Sequence, residues 1–304
     1  MSVKSILPRL NNAGALNTTI IQANQPSVNQ AGDYLSPAIW SNCPYMAIKE
    51  GEWPGVDFDF RFDTLPKTPA TTEGNFGLFS QFAGATGAIT PNAAGHGWSF
   101  TSTANGDGVA IRGAATSFRL DRSLGALWFE VAILTTSITD ALSNLFIGLM
   151  DNTALAAAVP FASATALSNN NIVGFFKAGS GAGSGAAMST TYKATGVTAV
   201  TVGANQVTLV ANTLTKLGML FIPSVDPLAQ DPNFQGLAKF NLYFYQDGVR
   251  LASSKQIPIA QGTDFPNVAY LAPTVAWLAR SATPDVFTIR SAKVTQIFSP
   301  GFIL

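Results

Sequence analysis

The chain is expected to fold as an all-β protein, a two-sheet antiparallel sandwich preceded by an extended N-terminal arm. Three observations predict this. From Gly51 onward, short runs rich in Val, Ile, Phe, Tyr and Thr recur between Gly, Asn, Pro and Ser. One of them, VDFDFRF (Val56–Phe62), alternates strictly, with Val and three Phe on one face and Asp57, Asp59 and Arg61 on the other. That is the pattern of a half-buried antiparallel strand. Helical periodicity, by contrast, does not persist over any long window.

Residues 1–48 read differently from the rest. Scattered apolar residues stand among Asn, Gln, Ser, Pro and Gly, with no sustained period. Such a segment cannot bury enough of its own surface to fold alone. Yet ILPRL, LNTTII and YLSPAIW are apolar enough to dock, so an arm lying on neighbouring subunits is expected over 1–48, with the sandwich over 49–304. Within the sandwich, WSFTSTA and GVAIRGAATSFRL flank the turn signal Asn105–Gly108. LWFEVAIL, LFIGLMD, NIVGFFKA, VTAVTVG, QVTLVA, LTKLGMLFIP, FNLYFYQ, VAYLAPTVAWLA and FTIRSAKVTQI follow as strands. Asp247-Gly248 supplies the positive φ of a two-residue hairpin turn. The only helical candidates are ITDALSN (Ile138–Asn144) and TALAAAVPFASATAL, the latter broken by Pro160. SGAGSGAAMST (Ser180–Thr190) reads as a flexible loop.

Composition excludes several classes of function. Only 11% of residues are charged, with Lys+Arg and Asp+Glu equal at 17 each; an ordinary globular chain carries roughly 25%. A neutral chain so poor in charge has no electrostatic footprint for nucleic acid or an anionic membrane. Near-zero net charge favours association, so part of the surface is expected to be covered in the working state. Cys43 is the single cysteine and His96 the single histidine, which leaves no intramolecular disulfide, no thiolate zinc site and no His-rich metal cluster. The N-terminus lacks a signal peptide and no run of about 18 apolar residues occurs, so synthesis in the cytoplasm is expected.

Four carboxylates have positions that bear on catalysis: Asp57, Asp59, Glu130 and Asp151. In LWFEVAIL, alternation sets Trp128, Glu130, Ala132 and Leu134 on the face opposite Phe129, so Glu130 is expected to face solvent or the concave side of a sheet, paired with Arg122 or Lys177. A glycosidase needs two carboxyl groups roughly 5–10 Å apart; laminarinase-type sandwiches carry acids as E-x-D-x-E on one strand, where this chain has Glu130, Ala132 and Leu134. Glu130 and Asp151 are therefore read as strand and turn residues. Asp57 and Asp59 share a face and suit a cation site or acid pair, but charges alternating along a strand face more simply solvate it. His96, between glycines, reads as a turn residue, and Cys43 as a small buried one. Trp128 and Trp277 lie in strands, where they face either a groove or the core. No catalytic, cofactor-binding or metal-binding residue is assigned, no cofactor is expected, and the chain is read as a non-enzyme.

The segments RLDRSLGALWFEVAILTTSITDALSNLFIGLMD, NIVGFFKAG and KLGMLFIPS…FNLYFYQDGVRLAS, in this order, resemble the concanavalin A-like (LamG-like) jelly roll, and within it virion proteins of tailed bacteriophages. The resemblance spans about Arg119 to Ile297 and holds no diagnostic catalytic motif. It implies a capsid decoration or cement subunit on the outer surface of a virion, a homo-oligomer (trimer rather than dimer) bound to the major capsid protein, without nucleic acid or membrane partners. The alternative is a carbohydrate-binding sandwich of a tail or head fibre that adheres to host glycans.

Overall fold

The computed structural model describes residues 35–41, 43–44, 48, 50–51, 54–62, 74–76, 79–93, 96–113, 117–121, 124–136, 142–156, 160–179, 187–223, 239–258, 264–267, 269–282 and 286–298. Seventeen strands among them form two antiparallel sheets. The nine-stranded sheet runs β14 (Val249–Arg250), β13 (Lys239–Gln246), β12 (Thr215–Pro223), β7 (Leu127–Thr135), β17 (Phe287–Ile297), β5 (Trp98–Thr101) and β4 (Ala88–Pro91). Strand β1 (Gly55–Arg61) joins it beside the second half of β17, and β15 (Lys255–Pro258) beside the first half of β13. The eight-stranded sheet runs β11 (Val200–Thr208), β10 (Ala187–Lys193), β9 (Ile172–Lys177), β8 (Ser143–Met150), β16 (Ala272–Ala279), β6 (Gly108–Gly113), β3 (Phe79–Ala83) and β2 (Gly74–Phe76).

Strand alternation decides what each sheet buries. Leu127, Phe129, Val131 and Ile133 of β7 meet Leu145, Ile147 and Leu149 of β8, Val275 and Trp277 of β16, and Phe175 of β9 in one core between the sheets. Each large side chain fully buried there contributes on the order of 1.5–3 kcal/mol. Edge-to-face rings bind one end of this core: Phe60 meets Phe79 with centroids 4.4 Å apart, and Phe62 meets Trp98 at 4.9 Å. These Phe residues are the apolar face of VDFDFRF, which pairs with the C-terminal strand in the register Asp57↔Thr295 and Asp59↔Lys293.

The outer faces are also covered, and here the structure departs from a plain sandwich. On the nine-stranded sheet, Ile39, Trp40, Cys43 and Ile48 cover Trp128, Leu220, Tyr245 and Ile297. Ile39 and Trp40 belong to a single helical turn, α1 (Pro37–Trp40). On the eight-stranded sheet, Leu155, Phe161 and Leu167 cover Phe146, Met150, Ile172 and Leu278.

Several expectations are corrected. The candidate helix over 138–144 lies mostly outside the described residues, which show only Leu142 in a 3-10 conformation before Ser143 and Asn144 open β8; over the described part of 153–167 no helix forms, and Phe161 bridges Leu167 in an irregular turn. Pro160 removes a helical hydrogen bond and splits that Ala-rich run. Residues 137–141 and 157–159 lie outside the described set. VTAVTVG and QVTLVA are not two strands; Val200–Thr208 is one, bulged against β10 between Met188 and Thr191, with Asn205 at φ 53°. Ala187–Thr190 belong to β10, so the expected flexible loop ends earlier. The hairpin at Asp247-Gly248 is as expected, with φ of 51° and 79°. Most of the predicted arm, residues 1–34, lies outside the described residues; residues 35–41 lie on the chain's own sheet.

Gly148 and Gly174 face each other across β8 and β9. A Cβ on Gly148 would stand 2.1 Å from the Val173 carbonyl oxygen, and one on Gly174 would stand 2.3 Å from that of Ile147. These two strands close only because neither position carries a side chain.

Candidate functional site

Two polar constellations stand out, one under α1 and one in an open cleft. Glu130 belongs to the first. Burial of its strand face puts it at 4% exposure, not in solvent. Three donors from the α1 segment reach its carboxyl group: the Ser36 backbone N–H to Oε2 at 2.9 Å, the Trp40 Nε1–H to Oε2 at 2.6 Å, and the Ser36 hydroxyl to Oε1 at 2.5 Å. Its expected partners are thus replaced: Lys177 Nζ donates to the Ser143 carbonyl instead, and Arg122 lies outside the described residues. Desolvation pushes the Glu130 carboxyl above the ordinary glutamate range, against the Ser36 and Trp40 hydrogen bonds and the Lys216 charge.

The cross-strand register extends this group. Glu130 lies beside Lys293, and Lys293 beside Asp59, in one row across β7, β17 and β1. Lys293 Nζ is 2.6 Å from Asp59 Oδ2 and 3.4 Å from Asp57 Oδ1, and sits 5.7 Å from the centroid of the Trp40 ring. Thr295 Oγ1 donates to Asp57 at 2.5 Å. The face of Asp57 and Asp59 is therefore neutralised by a lysine from the last strand, and the row anchors the segment that covers it. Trp128 is fully buried in the same layer and Trp277 in the core between the sheets, so neither stacks a ligand. Cys43 is buried under α1 as expected, and His96 is exposed in a turn.

Asp151 directly follows β8 in the opposite sheet. The core between the sheets separates it from Glu130, so the two carboxylates do not form a working pair. Burial alone would raise the Asp151 pKa, but hydrogen bonds from Asn171 and Thr153 outweigh it and hold the group below the ordinary aspartate range. It accepts from the Asn171 N–H at 2.8 Å, Asn171 Nδ2 at 2.9 Å and Thr153 Oγ1 at 2.7 Å. Asn171 in turn donates from Nδ2 to Thr195 Oγ1 at 2.7 Å and accepts from the Thr195 N–H at 3.0 Å. Asp151 thereby sets two turns against each other, and those turns wall the second constellation.

This is a cleft of about 670 Å³ on the outer face of the eight-stranded sheet. Its floor is the outward face of β9, β10 and β11: Phe176 lies directly opposite Ser189, and Thr191 opposite Thr201. Lys193 closes one end of the floor, Asn205 stands in the β11 bulge, and Asn169 and Thr198 come from the walls. Small side chains at Ala178, Ala187 and Ala199 give it depth. The walls are tied together by Gly196 N–H to Asn169 Oδ1 at 2.5 Å and by Lys193 Nζ to the Ser168 carbonyl at 2.9 Å. A half-buried ring, several hydroxyls and amides and one ammonium suit a polyhydroxylated ligand; the described residues lining it include no carboxylate or histidine for acid–base work. Sequence reading missed this cleft because its residues look like ordinary strand and loop positions. The one available signal was the outward set Ser189, Thr191 and Lys193 on β10.

The chain is an all-β jelly-roll sandwich, and lectins are among the solved structures similar to it. Lectin II from Ulex europaeus shows 10% identity with a TM-score of 0.45, covering 80% of this chain and 98% of its own. A peanut lectin structure shows 11% identity and a TM-score of 0.44, covering 80% and 97%. A protein of unknown function from Shewanella oneidensis MR-1 shows 11% identity and a TM-score of 0.49, covering 86% and 97%. At such identities the likeness is one of strand arrangement only. No family model matches the sequence, and no curated protein matches it.

Proposed function

We propose that the chain is a non-catalytic carbohydrate-binding sandwich whose ligand lies in the cleft over β9, β10 and β11. The observation that carries this reading is the lining itself: Phe176 offers an apolar platform among Ser189, Thr191, Thr201, Asn169 and Asn205. Saccharides present an apolar ring face and a rim of hydroxyls, and a concave site with a few convergent polar groups is the kind that orients them. Working through a binding cleft needs no acid–base pair, in keeping with Glu130 and Asp151 being spent on structure. A glycan array with the wild-type protein and with Ala199→Trp, which fills the half-exposed floor, tests it. The wild type is expected to bind a subset of glycans, and Ala199→Trp to weaken that binding at least tenfold. Undiminished binding by the filled cleft, or no glycan bound at all, contradicts it.

A second reading, the bracing of a capsid as a homotrimeric decoration subunit, is favoured by the charge content. A chain with 11% charged residues and no net charge gains from having its surface covered. Light scattering that gives a trimer, with cosedimentation on empty capsids, supports it; a monomer that stays in the supernatant removes it.

A further inference from the structure

Lys193 is 7% exposed, and among the described residues its ammonium makes a single polar contact, the 2.9 Å bond to the Ser168 carbonyl. No carboxylate among those residues forms an ion pair with it. Asp151, just past the end of β8 and two strands away, spends its oxygens on Asn170, Asn171 and Thr153. Of the two other buried lysines, Lys293 is paired with two aspartates, and Lys177 lies away from the cleft and donates to the Ser143 carbonyl. Taking an ammonium out of water costs several kcal/mol unless a counter-charge repays it, and an ammonium has three donors to place. Among the described residues, Lys193 is also the only ionisable one lining the cleft. A buried cation with no carboxylate partner among the described residues, at one end of an open, hydroxyl-rich cleft, is suited to pair with an anion.

Resting on the carbohydrate reading above, we infer that the cleft selects acidic saccharides: a sugar whose oxyanion group pairs with Lys193 while its hydroxyls meet Ser189, Thr191 and Thr201. Charge-assisted hydrogen bonds of this kind are shorter and stronger than neutral ones, and the partly enclosed site screens them less than an exposed pair.

The test is isothermal titration of the full chain at low salt with a galacturonate oligosaccharide, a neutral galactose oligosaccharide of equal length, a sulfated galactose oligosaccharide, and acetate alone. The wild type is expected to bind at least one acidic oligosaccharide at least tenfold tighter than the neutral one. The carboxylated and sulfated arms show which oxyanion is preferred. In Lys193→Met that preference is expected to fall to within about twofold. Ala199→Glu, which leaves Lys193 in place but adds an opposing charge on the cleft floor, is expected to weaken acidic binding tenfold and neutral binding far less; it serves if Lys193→Met does not fold. Equal binding of neutral and acidic sugars, or a preference that survives in both variants, overturns the inference and leaves the carbohydrate reading standing. Acetate binding as tightly as the acidic oligosaccharide overturns the saccharide part. Failure of every oligosaccharide to bind removes both readings.

Discussion

Replacing Trp40 with alanine is expected to lower the unfolding free energy by about 3–5 kcal/mol, the range for removing a buried tryptophan. Trp40 is fully buried between α1 and the nine-stranded sheet, and its indole N–H is one of two donors on Glu130 Oε2. The substitution thus opens a cavity and removes one of the bonds that keep a buried carboxyl group satisfied. Chemical denaturation with an unchanged m value measures the loss; a change under about 1 kcal/mol would mean that the α1 segment is not docked on this sheet.

Glu130→Gln isolates the electrostatic part of the same anchor. Both N–H donors converge on Oε2, so a glutamine oxygen can replace it, and the amide NH₂ can donate to the Ser36 hydroxyl at Oε1. The sign of the pH effect follows from the raised pKa. The folded state holds the Glu130 proton more tightly than the unfolded chain, so Glu130 favours folding most at acid pH. That contribution fades as pH rises from the ordinary glutamate range through the raised folded value. Glu130→Gln is therefore expected to flatten this part of the stability–pH curve, a readout that a merely steric role would leave unmoved.

Lys293→Met is expected to cost about 3 kcal/mol, near the lower end for breaking a buried ion pair because Asp59 is 36% exposed. Most of the loss traces to Asp57, which is 7% exposed and, among the described residues, keeps only the Thr295 hydroxyl once the ammonium is gone. Adding Asp57→Asn to Lys293→Met should recover the greater part of it. If the double variant is no more stable than the single one, the cost comes from lost packing of the lysine stem and not from an orphaned charge.

The fold was legible wherever the pattern is local. VDFDFRF alternates in residues adjacent in sequence and forms a strand with the expected inward face, and FTIRSAKVTQI forms the expected strand, with an irregularity between Ile289 and Ser291. Asp-Gly at 247–248 fixes its turn through backbone conformation alone. What stayed hidden depends on register between distant segments. Nothing near Glu130 announces Ser36, 94 residues earlier, or Lys293 beside it on β17. Alternation correctly put Glu130 opposite Phe129, yet could not say that another part of the chain would cover that face. The strands β2, β3, β4 and β15 are short, and one of them, Gly74–Phe76, holds three residues, too few to show a period. The cleft was illegible for a further reason: its depth comes from alanines and glycines, whose role is the space they leave, and its single charge stands within an ordinary polar strand, AMSTTYK.

The most direct test of saccharide binding in the cleft is a backbone-amide NMR map of the wild-type protein titrated with its best-binding oligosaccharide. Shifts concentrated at Phe176, Ser189, Thr191, Lys193 and Thr201 are the expected result. Saturable shifts confined to the nine-stranded sheet, or no shifts with any saccharide tried, would contradict it.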